Sequence, residues 1–370
     1  MLDTVILQTI IPYSAVIEPR KFRPPLEDWV LRRGGYGKFV NNPTDEDKEK
    51  FGYLPRLTVF KRGALLFLKS EFSAQKMIFN DNINELTESD FEPVVNRTRE
   101  VIRGLGVSLN NEQIENAEVL ALHPAKNIIL GNGYHPTLIL REFAKVNISR
   151  KFDIDVKEYR NGGEVLQFYT NLHGLCLYDK MRDLTKPMKR AFDKDQTLKQ
   201  LSLFDNLCKK VEILRMEARL KNKKFEDIFS KIGYSNYHPT FKDIFNKDLC
   251  QSILKYYWKY IFEDNLFLFD MRNSPQNILK VILANKKYKK MNLYKLFGLA
   301  GFVLCSKDTA GMAGLRNIIE FYKPKNNWSK TMKWLDDFKK ELDKSYLHGF
   351  IGDIENQLDE FKQFRVQENG

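Results

Sequence analysis

The sequence predicts an α+β fold, with an antiparallel sheet covered by helices on one face and an all-helical stretch after it. Three observations predict it. Short segments before residue 245 alternate apolar and polar residues. From Phe241 onward a helical period takes over. The clearest strand, Val211–Lys221, separates Leu214, Met216, Ala218 and Leu220 on one face from Arg215, Glu217 and Arg219 on the other. The second face is ill suited to packing and well suited to holding a metal or a phosphate. Its ordinary alternative is a half-exposed strand with a cross-paired salt bridge.

Thr4–Ile10 reads as an opening strand. Residues 18–53 read as polar and irregular. A hairpin follows, Arg56–Arg62 and Ala64–Phe72, turning at Gly63. Thr87–Leu105 reads as a helix, with Thr87 as N-cap and Asp90 at its third position. Glu118–His123 is a short strand, and Pro136–Val146 a helix with proline in its first turn. Val165–Tyr169 and Leu175–Lys180 form a tight hairpin through Asn171–Gly174; Cys176, Tyr178 and Lys180 share one face of its second strand. A basic connector, 182–210, leads into the Arg-x-Glu-x-Arg strand. Helices are expected at Phe225–Ile232, 241–263, 275–285, 291–305, 310–321, 328–343 and 351–364, with a soft boundary near residue 245.

The chain has 370 residues and a formal charge of +12, which favours a polyanionic partner, nucleic acid before membrane. The four cysteines, Cys176, Cys208, Cys250 and Cys305, have neither zinc-ligand nor redox spacing and read as reduced thiols of a cytoplasmic protein. No signal peptide and no membrane-spanning run is expected.

If the strands join one sheet, its uncovered face gathers His123, Tyr178, Lys180, Arg215, Glu217 and Arg219. That set can cut a nucleic-acid backbone. An imidazole and a carboxylate can hold a divalent ion on a phosphate oxygen. A phenol can attack the phosphorus, and a neighbouring lysine can lower the phenol's pKa and balance charge. Each residue also has a plain alternative. Tyr178 can be a sheet aromatic, and His123 can simply end its strand before Pro124. Tyr169 is a competing phenol, and His173 a further ligand or an exposed hairpin residue. Asp153 and Asp155 have metal-compatible spacing or form a solvated strand face, and His135 and His238 read as turn residues.

The chain resembles the rolling-circle replication initiators of the phage and plasmid gene II/X family, typified by filamentous phages. Met1–Leu7, Leu68–Lys76 with Asn82–Leu86, Leu122–Ile128, Leu177–Leu184 and Leu214–Leu220 carry the resemblance, in order along most of the chain, with a weaker echo at Asn327–Lys330. The resemblance implies an RRM-like, relaxase-like nickase fold in residues 1–245 and a helical C-terminal domain in 246–370. It implies Tyr178 as nucleophile with Lys180 beside it, and Glu217 with His123 as ligands of Mg²⁺ or Mn²⁺. His123 stands where filamentous-phage relatives have Asp. Tyr178 would take the 5′ phosphate of origin DNA and free a 3′ hydroxyl for a host polymerase and helicase, and the reverse attack would close the displaced strand.

Phosphate contacts are expected from Arg215, Arg219 and Lys126, and from Lys330 and Lys333 in a recognition helix at Trp328–Trp334 of a helix-turn-helix around Gly301 or Gly311. Lys255–Tyr260 alternates basic and aromatic residues, which suits stacking on bases or, at helical spacing, core packing. The rival readings are a replication-control protein that binds DNA without cutting it, and a nuclease that uses water.

Overall fold

A computed structural model describes the chain except residues 27–35, 132, 147, 149–150, 185–210, 271–274, 285–287, 309, 324–327, 329–331, 333–346 and 366–370. Its centre is a ten-stranded antiparallel sheet in the order β2-β3-β4-β5-β1-β6-β10-β9-β8-β7. The strands are β1 (Leu2–Ile11), β2 (Phe22–Arg23), β3 (Tyr36–Asn41), β4 (Arg56–Arg62), β5 (Leu65–Ser73), β6 (Glu118–Ile129), β7 (Asp153–Glu158), β8 (Glu164–Tyr169), β9 (His173–Asp179) and β10 (Ile213–Lys221). The chain is α+β, as its alternation predicts.

The alternation works as a sorting device. Leu214, Met216, Ala218 and Leu220 of β10 are all buried, as are Leu175 and Leu177 of β9 and Val5 and Leu7 of β1. Helices cover that side: Lys247–Phe262 lies against β6 and β10, Pro136–Phe143 against β8 and β9, and Gly349–Glu360 against β6. The β4–β5 turn uses Gly63 at φ 59°, a left-handed conformation that costs glycine least. Thr87 and Asp90 form the expected reciprocal cap, ahead of a helix at Phe91–Gly104.

Three expectations change. Residues 18–53 are not all irregular: they hold β2, β3 and a helix, Asp45–Phe51, capped reciprocally by Thr44 and Asp47. The strand expected to end at His123 continues to Ile129. Pro124 falls where the register against β1 shifts between Leu2 and Val5, an irregularity that tolerates a residue without an N–H. Finally, β9 ends at Asp179, and Lys180 opens a short helix, Lys180–Leu184.

After residue 246 the regular elements among the described residues are helices, apart from one isolated bridge between Asp270 and Leu347. These helices share the core of the sheet. Phe143 packs its ring on Trp258, Phe262, Phe269 and Phe350, with ring centres 4.3–5.7 Å apart. The boundary near residue 245 thus marks a change of element type within one continuous core. Tyr257 and Trp258 of the basic-aromatic stretch are core residues. No helix among the described residues is long and apolar enough to cross a membrane.

Candidate active site

Strand register decides which side chains meet. Arg215 of β10 stands opposite Tyr178 of β9 and Asn127 of β6, and Glu217 opposite Cys176 and Ala125. Leu220 pairs with Leu122, which sets Arg219 level with His123. Residues directly opposite share a face. Tyr178, Glu217, Arg219 and His123 therefore lie on one side of the sheet, away from the helices.

That side is covered at one end and open at the other. Along β10 the side chains go from 0% exposed at Arg215 to 6% at Glu217 and 45% at Arg219. The cover comes from the turn after β5 and from the C-terminal segment. Asp81 receives the backbone N–H groups of Ile83 and Asn84 and so shapes the turn. Glu85 then accepts from Asn127 N, Lys126 Nζ and Phe364 N, tying β6 to the C-terminal segment.

Two cations expected to touch phosphate have structural jobs instead. Arg215 is fully buried, 3.0 Å from Asp3 Oδ2, and donates to Asn127 Oδ1 and Gln75 Oε1. Lys126 is buried between Glu85 and the carbonyl of Lys362. Their donors face protein, not solvent: Arg215 lies on the site face under the turn after β5, and Lys126, level with Met216, lies on the helix side against the C-terminal segment. Asp3→Asn removes the counter-charge of a buried guanidinium and is expected to cost about 3–5 kcal/mol in urea unfolding. A change under about 1 kcal/mol in that measurement would refute the pairing.

At the open end, Glu217 Oε1 is 2.8 Å from Arg219 Nε and 3.3 Å from His123 Nδ1. Burial pushes the Glu217 carboxyl up, but the hydrogen bond from His123 and the Arg219 charge outweigh it and hold it well below its ordinary range. The pair is a fair start for a hard divalent ion. Mg²⁺ or Mn²⁺ is commonly held by one or two protein groups, with water and substrate phosphate completing the shell. Such an ion would compete with Arg219 for Oε1. Arg219 keeps exposed donors able to meet a phosphate.

Tyr178 lies in the row of Arg215, toward the covered end, 7% exposed, packed with Val165, Cys176 and Tyr159 outside the main core. Burial, and then the charge of Glu217, push its phenol well above the ordinary value. Lys180 is fully buried, and its Nζ has no hydrogen-bond partner among the described residues. It lies 5.7 Å from the centre of the Tyr178 ring. Burial, with the Arg215 charge second, pushes its pKa down to about 7. The expectation of a charged lysine that lowers the phenol's pKa is thus reversed: the resting pair is a protonated phenol and an amine close to neutral.

Of the other sequence candidates, Tyr169 and His173 line one pocket with His123 and Arg219. His173 stands level with Leu220, on the helix side, with Nδ1 2.7 Å from Tyr257 Oη. Tyr169 is on the open face, 39% exposed and two strands from β10, opposite Asp153 at the far edge. Asp155 is paired with Lys157. Lys330 and Lys333 lie outside the described residues, as does the proposed recognition helix except Trp328 and Met332. Gly311 opens a helix, Gly311–Tyr322, at φ 57°, where a Cβ would come 2.5 Å from the Lys145 backbone.

One cluster was not foreseen. Among the described residues, His135, Asp179 and Glu212 bring three possible ligand atoms within 4.8 Å of one another. Asp179 stands level with Leu214, so this cluster is on the helix side, not with Tyr178. His135 Nδ1 accepts from Thr137 N–H, which in the neutral ring leaves the proton on Nε2, facing the carboxylates. That tautomer suits a hydrogen-bonding role better than ligation. His135 before a proline is legible as a helix cap; nothing in its spacing points to Asp179 or Glu212.

No family model matches the sequence, and no curated protein matches it. The chain is similar to a solved structure of a rolling circle replication initiator protein from Geobacillus stearothermophilus, with 11% identity over 82% of this chain and 96% of that one. The TM-score is 0.28, too low for the likeness to bear on fold or function.

Proposed function

We propose that the protein is a rolling-circle replication initiator that nicks origin DNA through a 5′-phosphotyrosine and rejoins the displaced strand. The observation that carries this reading is the shared open face of Tyr178, Glu217, His123 and Arg219, drawn from three separate strands. The residue motifs that resemble the gene II/X initiators fall on these same strands.

The chemistry follows from the side chains. Arg219 meets a non-bridging oxygen of the scissile phosphate. Lys180, as a neutral amine, takes the Tyr178 proton, and the ammonium it becomes balances the phenolate. Oη bonds to phosphorus, the phosphorus–O3′ bond breaks, and O3′ takes up a proton. A divalent ion held by Glu217 and His123 would supply charge neutralisation at the phosphate. Covering residues keep water from the phenol, which favours transfer to tyrosine over hydrolysis.

The test is incubation with supercoiled plasmid carrying the element's own origin, with Mg²⁺ or Mn²⁺. The expected product is an open circle with protein on the 5′ end. The burial of Tyr178 favours a rival, a replication-control protein that binds origin DNA and leaves it closed; closed, shifted DNA would establish that rival.

Lys180 makes a pH prediction. The unfolded lysine binds its proton below about 10.5 and the folded one only below about 7. Between these values the unfolded chain carries the extra proton, so stability rises with pH across that window. Nicking is expected to rise through pH 7 as the amine becomes neutral. Lys180→Met should flatten both profiles; a wild-type rate independent of pH between 6 and 8 would remove Lys180 from the proton path.

A further inference from the structure

The open face continues past the candidate site across β1, β5, β4 and β3. Ile6 of β1 pairs with Ala121 of β6, two residues from His123, and with Glu71 of β5, which carries the parity of the site across the sheet. On that parity lie Lys38, Arg56, Arg62 and Lys69, interleaved with Phe60 and Phe67. All of these except Phe67 line a cavity of about 320 Å³. Phe60 and Phe67 stack directly across β4 and β5, with ring centres 5.1 Å apart and planes 8° off parallel. The Arg62 guanidinium lies 5.2 Å from the Phe60 ring.

None of the four cations forms an ion pair among the described residues, although Lys38, Arg56 and Arg62 are exposed. The one carboxylate lining the cavity is Glu71, level with Arg56; nearby Glu118 is held by Gln8. Charge at a sheet rim often serves to block edge-to-edge pairing. That explanation fails for β4 and β5, which have neighbours on both sides. The buried Arg215 and Lys126 are matched inside the protein, whereas Lys38, Arg56 and Arg62 are left facing out.

We propose that the β3–β4–β5 face is a second nucleic-acid subsite that holds single-stranded DNA, with phosphates on Lys38, Arg56, Arg62 and Lys69 and an unpaired base against Phe60 and Phe67. Stacking requires bases free of a partner, which selects a single strand over a duplex. The choice of DNA rests on the proposed function; the charge and ring geometry do not.

The test is fluorescence anisotropy of the full chain with a labelled oligothymidylate, in chelator and without Mg²⁺ or Mn²⁺. Binding is thereby read apart from nicking, and a chain that never cuts can still pass. Arg56→Gln with Lys69→Gln is expected to weaken binding about tenfold and to lower the slope of log affinity against log salt by about 1.4, the value for two contacts to a single strand. Phe60→Leu with Phe67→Leu is expected to weaken binding about tenfold at unchanged slope, and only for strands that carry bases, not for an abasic strand.

Wild-type affinity and slope in the Gln pair would overturn the proposal. So would equal loss on abasic strands in the Leu pair, or heparin and duplex binding as tightly as the single strand. Photo-crosslinking of wild-type protein to an iododeoxyuridine strand needs no variant: adducts on β4 or β5 peptides are expected, and adducts confined to other segments would overturn the assignment.

Discussion

Tyr178→Phe is expected to abolish the covalent protein–DNA adduct and to lower origin nicking about 10³-fold or more. The change removes one oxygen and keeps the ring. Oη makes no hydrogen bond among the described residues, and the ring's neighbours, Val165, Cys176 and Tyr159, touch its apolar surface. Unfolding free energy should therefore move by less than about 1 kcal/mol. Denaturing gels of protein with end-labelled origin DNA read the adduct, and plasmid topology reads the nick. Nicking that persists without an adduct would indicate a nuclease using water. Retained adduct would move the nucleophile elsewhere, with Tyr169, exposed on the same face, the next phenol to replace.

Glu217→Gln is expected to lower cleavage about 10²-fold or more while leaving origin affinity within about threefold. The reason lies in what the carboxylate touches. Its Oε1 is shared by His123 and Arg219, which hold its pKa well below the usual range and keep it anionic at neutral pH. The amide has the same shape and no charge. It gives up metal ligation and the ion pair, and it frees Arg219, which remains a phosphate contact. Because Arg219 is half exposed, the loss of the pair should cost at most about 1 kcal/mol of stability. Titration with Mn²⁺ followed by isothermal calorimetry supplies a readout apart from cleavage: binding seen in wild type should vanish in the variant. Equal loss of cleavage and DNA affinity would make Glu217 a structural residue.

Much of this arrangement can be read along the chain because strand parity is local. The separation of Leu214, Met216, Ala218 and Leu220 from Arg215, Glu217 and Arg219 depends only on the period of an extended backbone. The same holds for Tyr178 against Leu177, and for the Gly63 turn. Parity does not tell how far from solvent a face lies. Arg215 and Arg219 are equivalent in sequence, yet one is sealed against Asp3, Gln75 and Asn127 and the other opens to solvent. Lys180 shows a second limit. Its place after Tyr178 reads as one more strand residue, but β9 ends at Asp179 and a helix begins.

By itself, the sequence determined the α+β class, the strands that carry the candidate chemistry and the face to which each side chain turns, since these follow from periodicity and turn chemistry within a few residues. Only the tertiary structure decided which strands distant in sequence are neighbours, and that pairing sets His123 beside Glu217. It also decided how much water reaches each group. The Asp81–Glu85 turn and the C-terminal segment meet at one end of the sheet from positions 279 residues apart. The turn buries Arg215 on one face, the C-terminal segment buries Lys126 on the other, and the buried surroundings of Lys180 set its pKa, because desolvation depends on what packs above a side chain rather than on what flanks it in the chain.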